Sequence, residues 1–171
     1  KINILTPVNI IGFILIMMAG WINTVGIYTF LDNNSSFLTG RAAILSEYIL
    51  NGETQKIKGS LLIIISFIAG ACISTLITKR AGLIGGLLFT GIFIIITAFT
   101  SSVEGINAAI VTIPMCMGGQ NAATSLTAIN RTTHLTGPAT DIGINIAKGN
   151  WNLVVFWVLR WVGFFMGTLI A

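Results

Sequence analysis

Residues 60–99 read SLLIIISFIAGACISTLITKRAGLIGGLLFTGIFIIITAF. Two apolar runs, Ser60 to Thr78 and Ala81 to Phe99, are joined by the charged pair Lys79-Arg80. At about 1.5 Å per helical residue, each run matches a hydrocarbon core roughly 30 Å thick. The pattern recurs on both sides of this stretch. Pro7 to Leu31, Ile106 to Ile129 and Trp151 to Ala171 are further spans. Pro7 suits a helix start, where its missing N–H costs nothing. The first run is too long for a cleaved leader and lacks a small-residue cleavage site, so it is expected to stay as a helix. Period-two alternation, the mark of a membrane β-barrel, is missing. The expected fold class is therefore an all-α polytopic bundle, one transmembrane domain over residues 1–171 set in a lipid bilayer.

Composition agrees, with 54% hydrophobic and 8% charged residues and a mean hydropathy of +0.92. The net charge of +4 rests on nine Lys and Arg. They mark segment ends (Lys1, Lys56, Lys58, Lys79, Arg80, Lys148) and form no stripe of the kind a nucleic acid needs, so no nucleic-acid partner is expected. Cys72 and Cys116 lie apart inside apolar runs, and the chain has a single His. Neither a disulfide framework nor a metal site follows, and no cofactor is expected. HExxH, a nucleotide-binding glycine loop and a GxSxG turn are all missing, so no enzyme activity and no catalytic residue are assigned.

Two helical segments are too short to cross comfortably. Phe37 to Leu50 spans about 21 Å at the α-helical rise, and Leu135 to Ala147 is comparable. Each follows a hydroxyl-rich break: Ser35-Ser36-Phe37-Leu38-Thr39-Gly40-Arg41 first, then Arg131-Thr132-Thr133-His134-Leu135-Thr136-Gly137. Both read as half or re-entrant helices. They also belong to an internal repeat. Ala19-Gly20 and Asn23 align with Met117-Gly118 and Asn121, and Leu38-Thr39-Gly40 aligns with Leu135-Thr136-Gly137. Gly70 to Thr78 aligns with Gly163 to Ala171. Repeat one covers 7–99 and repeat two 106–171. The second stops where its third span should follow, so about 20–30 further C-terminal residues, one membrane-crossing length, are expected. If the short segments return to their own side, the halves are inverted, as in many transporters. Lys1, Lys79, Arg80, Arg131 and Lys148 then share one face, which makes the N-terminus cytoplasmic by the positive-inside rule. If the short segments cross, the halves are parallel. The charges favour inversion.

Met117-Gly118-Gly119-Gln120-Asn121-Ala122-Ala123, Arg131 to Gly137 and Thr140-Asp141-Ile142-Gly143, with Ala19-Gly20-Trp21-Ile22-Asn23 and the first Leu38-Thr39-Gly40, resemble the YoaK-type bacterial membrane proteins, a family without an assigned function. The resemblance covers nearly the whole chain and implies a multi-pass protein of the bacterial inner membrane with a further C-terminal helix. Related sequences often carry a His before the first Thr/Ser-Gly, where this chain has Phe37.

Ionisable groups inside apolar segments are costly and draw functional suspicion. They are Arg41, Glu47, His134, Asp141 and Arg160, with Asp32 and Arg131 at the breaks. An unpaired Arg160 in mid-span would cost roughly 2.5–3.5 kcal/mol on the lenient insertion scale. It should pair, with Asp141 or Asp32 as candidates, and its repeat counterpart in this alignment is Phe67. That pairing is either a structural lock or part of a solute site. The two Leu-Thr-Gly steps present free helix N–H groups and the positive end of the dipole. If they converge, they form a pocket for an anion or carboxylate. Thr39, Gly40, Thr133, Thr136 and Gly137 would supply contacts, with Arg41, Arg131, His134, Asp141 and Arg160 around them. Plain helix capping is the alternative. Asn121 in the mid-span patch is a further candidate contact, although Asn and Gln there suit interhelical hydrogen bonds better. The expected function is a small-solute transporter or carrier that binds a small polar or anionic ligand between the repeats. The alternatives are a ligand-binding membrane subunit with a partner subunit, and a structural or sensory membrane protein without transport. Gly82/Gly86 and Gly163/Gly167, spaced four apart, are a weak signal for a homodimer.

Overall fold

The computed structural model describes residues 6–26, 38–100 and 108–171. In α1 (Pro7–Val25), Thr6 caps the start, its hydroxyl accepting from the Asn9 N–H at 3.3 Å, and Pro7 takes the first helical position. There follow α2 (Leu38–Leu50), α3 (Thr54–Thr100), α4 (Ala109–Ser125), α5 (Thr136–Ala147) and α6 (Trp151–Leu169). Three of these, α1, α3 and α6, are long and apolar enough to cross a membrane. The chain is a membrane-type helical protein.

The α3 helix is not a single rod. Gly82 has φ 69° and ψ −174°, a left-handed value that glycine adopts without steric cost. The chain doubles back there and brings Gly86 against Ser74 and Thr78. The turn expected at Lys79-Arg80 thus falls just beyond that pair, at Gly82, and divides α3 into arms 54–81 and 83–100.

Contacts fix the helix directions. Gly12 meets Arg160 and Gly167 meets Met17, so α1 and α6 run the same way. Gly59 meets Ile110 and Gly119 meets Ser74, so α4 and the first arm of α3 also run together. Thr97 bonds Thr112 at 2.6 Å, while Phe89 lies against Gly119, so the second arm runs opposite to α4. Gln120 bonds the Leu15 carbonyl, whereas Ile113 and Cys116 share a cavity wall with Trp21 and Val25, so α1 and α4 are antiparallel.

Four glycines bring the paired backbones together. A Cβ at Gly20 would overlap the carbonyl oxygen of Phe164, and one at Gly167 that of Met17. In the other pair, Gly118 stands against the Phe67 carbonyl and Gly70 against that of Met115. Lipid tails are as apolar as leucine, so helix association in a bilayer depends on close approach of this kind. Ile16, Ala19, Met117, Leu135 and Phe164 fill the centre. Ile65, Ile84, Leu88, Phe165 and Leu169 are more than half exposed on outward faces that suit lipid contact.

Gly118→Leu forces a side chain into a carbonyl that cannot move aside, and should cost about 1–3 kcal/mol or more. Gly143 has open space around it, and Gly143→Ala should leave stability equal or raised by about 0.5–1 kcal/mol. Thermal unfolding of both variants in detergent, followed by tryptophan fluorescence, checks the contrast; equal effects would contradict the packing described.

Candidate functional site

The α4 helix carries Pro114 and a run of small residues, and it ends at Ser125, short of the Ile129 expected from hydropathy. Asn130, at φ 65°, turns the chain, and its side-chain oxygen accepts from the Arg131 N–H at 2.8 Å. Asparagine is among the few non-glycine residues that take this conformation readily. The link then re-enters the bundle. Thr132 and Thr133 have no exposed surface. Leu135 packs in the core with Ile16, Met117 and Phe164.

Gln120 holds this link in place. Its amide donates to the Leu15 carbonyl at 3.0 Å and to the Thr132 hydroxyl at 3.1 Å. The Thr132 and Thr124 hydroxyls lie 3.1 Å apart, and Thr124 donates back to the Gln120 carbonyl at 2.9 Å. One amide therefore joins α1, α4 and the link, the interhelical role expected of the Met117–Asn121 patch. Gln120 and Thr132 were not among the candidate residues. The signal for them was an amide in mid-span, able to reach two partners at once.

Helix α5 consequently begins beside the buried link, with Leu135 and Pro138 buried and Thr136 and Ala139 exposed. Its first turn has no side-chain cap, so the free N–H groups and the positive dipole end face the region around the link. The Arg131 guanidinium lies over Gly137, where a Cβ would sit 2.8 Å from Nη1. The Thr133 hydroxyl is 3.5 Å from His134 Nδ1. Arg131, Thr133, His134, Thr136 and Gly137 thus gather at one place.

The remaining candidates do not join them. Arg160 is buried in α6 at 2% exposure, and its Nη1 and Nη2 have no hydrogen-bond partner. Its expected ion pair with Asp141 is not formed; among the described residues the ion pair found is Lys56–Glu53. Gly12, lacking a side chain, gives the guanidinium room, and the Phe156 ring lies 4.8 Å from it. Asp141 is half-buried on α5, where its carbonyl accepts from Asn145 at 2.7 Å. Asn121 keeps a buried side-chain oxygen without a partner. Gly40 is exposed with open space around it, so it does not meet Gly137. Arg41 is buried and Glu47 is exposed on α2. Asp32, Ser35, Ser36, Phe37 and the Thr39 side chain lie outside the described residues. An apolar cavity of about 160 Å³, walled by Trp21, Ile22, Ile94, Ile113 and Cys116 among others, lies between α1, α4 and the second arm of α3, and its walls include no residue of either Leu-Thr-Gly step. Among the described residues no group of His, Cys, Asp and Glu is placed to hold a metal ion.

The family model described as a protein of unknown function, DUF1275, matches residues 11–171. The chain belongs to the DUF1275 family. This agrees with the resemblance to YoaK-type membrane proteins. No curated protein and no solved structure matches. Membership in DUF1275 brings a family without an activity, so chemistry has to be argued from the residues.

In this DUF1275 chain, His134 lies in the link, outside the membrane-spanning helices. Burial, and then the neighbouring Arg131, hold its imidazole below the ordinary pKa. The folded protein therefore takes up that proton less readily than the unfolded chain. The position is neutral near pH 7, and it withdraws stability as pH falls through the ordinary imidazole range. The chain has one histidine, so its NMR titration reads the site directly. The midpoint should lie below that of a free imidazole and rise in Arg131→Gln; a midpoint at or above the free value would contradict the environment described.

Proposed function

We propose that this chain is a membrane carrier for a small polar or anionic solute, built from two inverted repeats, with the solute held where α5 begins beside the buried link. The observation that carries the reading is the placement of Leu135 in the core, which sets an uncapped helix start beside Arg131 and His134. Interrupted helices whose N-terminal dipole ends face an anionic group are the recurring device of such carriers. Arg131 and His134 supply the field, and Thr133, Thr136 and Gly137 supply hydroxyl and backbone contacts. Asn121 offers its unpartnered oxygen to a solute donor. Thr39, Gly40 and Arg41 are the counterparts in the first repeat.

Matched contacts support the repeat. Gly20 on Phe164 corresponds to Gly118 on Phe67, and Gly167 on Met17 corresponds to Gly70 on Met115. In each case the first helix of one half packs on the third element of the other. The opposite directions of α1 and α4 support inversion, because these are the first helices of the two halves. This correspondence equates Gly70 with Gly167, one helical turn away from the Gly163 of the sequence alignment, and makes Ile63 the counterpart of Arg160. The proposed location is the bacterial inner membrane with a cytoplasmic N-terminus, as the distribution of Lys and Arg favours.

Purified protein in proteoliposomes should accumulate some member of a panel of radiolabelled carboxylates, phosphate and small polar solutes above protein-free vesicles. Arg131→Gln and His134→Ala should each lower that flux about ten-fold or more, the scale of one charge-assisted hydrogen bond. Folded variants with undiminished flux, or no flux from the wild type, would defeat the proposal.

A further inference from the structure

Arg160 is the single charged residue of α6, and the structure buries it to 2% exposure. Neither Nη1 nor Nη2 has a hydrogen-bond partner. The guanidinium rests in the notch that Gly12 leaves in α1, close to the Phe156 ring.

The molecule contains its own control for a packing role. At the matching crossing, Ile110 takes the place of Gly12, Gly59 that of Phe156 and Ile63 that of Arg160. There the Ile110 side chain covers Gly59 at 3.7 Å, and Ile63 is buried to 2% exposure. Aliphatic side chains close that crossing without a charge. Filling space therefore does not account for a guanidinium at position 160.

The described acidic residues do not account for it either, Asp32 and Glu104 lying outside the described residues. Glu53 pairs with Lys56, Glu47 is exposed, and Asp141 makes no ion pair. A guanidinium offers a planar fork of N–H donors that matches a carboxylate in two parallel hydrogen bonds. Its stem is long and unbranched, so the fork can leave the Gly12 notch by side-chain rotation while the helix stays in place.

We infer that Arg160 is a binding residue for the carboxylate group of a small solute, with the Gly12 notch as the resting place of its guanidinium. This goes beyond the carrier reading by placing a carboxylate contact at the α1–α6 crossing, apart from the start of α5.

The test is a titration of the purified full chain in detergent with sodium formate and acetate, against chloride at equal ionic strength. Trp157 and Trp161 flank the site and report by fluorescence. A saturable, carboxylate-specific change is expected in the wild type, weakened about ten-fold or more in Arg160→Met and retained in Arg80→Gln. Should Arg160→Met fail to fold, Gly12→Ala, which closes the notch to the resting guanidinium, should shift the apparent affinity while Gly143→Ala should not. No response in the wild type, an equal response to chloride, or an undiminished response in both Arg160→Met and Gly12→Ala would overturn the inference. A positive titration from protein that shows no flux would leave the carboxylate site standing and remove the carrier reading alone.

Discussion

The fold depends on backbone touching backbone at four glycines. Water drives apolar faces together in a soluble core, but in a bilayer the lipid competes on equal terms, and helices associate where their surfaces fit closely. Gly20 and Gly167 let α1 and α6 approach to contact between a backbone carbonyl and a bare Cα, and Gly70 and Gly118 do the same for α3 and α4. The first pair joins helices from opposite ends of the chain, and the second joins α4 to the first arm of α3. Together they settle which helices are neighbours before any polar side chain is considered.

Polar groups then act inside the frame those contacts leave. Without water, backbone and side-chain donors must find partners within the protein. Thr24, Thr75, Thr90 and Thr97 donate to the carbonyl four residues earlier on their own helix, which satisfies them locally. Ser74 and Gln120 instead reach another helix, at Gly119 and Leu15. Gln120 has the larger consequence. By holding Thr132 it keeps the middle of the α4–α5 link buried, so α5 starts directly from a residue packed in the core, Leu135.

Much of the fold was legible in the sequence because hydropathy over twenty residues reports the bilayer directly. Two details were not. Lys79-Arg80 marked a turn by charge, but charge shows where a chain leaves lipid, while the reversal needs a residue that tolerates positive φ, and Gly82 supplies it. The alignment of Gly70 with Gly163 differs from the contact-based equivalence with Gly167 by one helical turn. Such a shift keeps nearly the same face of a helix buried, so small-residue patterning fits either register. Contact between backbones separates them. The Arg131–Gly137 cluster was legible as a polar interruption, whereas its depth in the bundle was not, because depth comes from a hydrogen bond between residues 105 positions apart.

Arg160 shows how a sound energetic rule can select the wrong partner. A charge in mid-span has to be compensated, and the sequence offers few acids, so Asp141 and Asp32 followed as candidates, of which Asp141 lies among the described residues. Space decides otherwise. Gly12 gives the guanidinium room without giving it an acceptor, and Phe156 gives it only a ring. A desolvated cation–π contact contributes about 2 kcal/mol, against roughly 2.5–3.5 kcal/mol for an arginine at the helix centre even on the lenient scale. The ring offsets part of the cost and leaves two donor nitrogens without a partner. A residue kept in that state, where the matching crossing is closed by isoleucine, fits the carboxylate-binding role proposed for it better than a packing role.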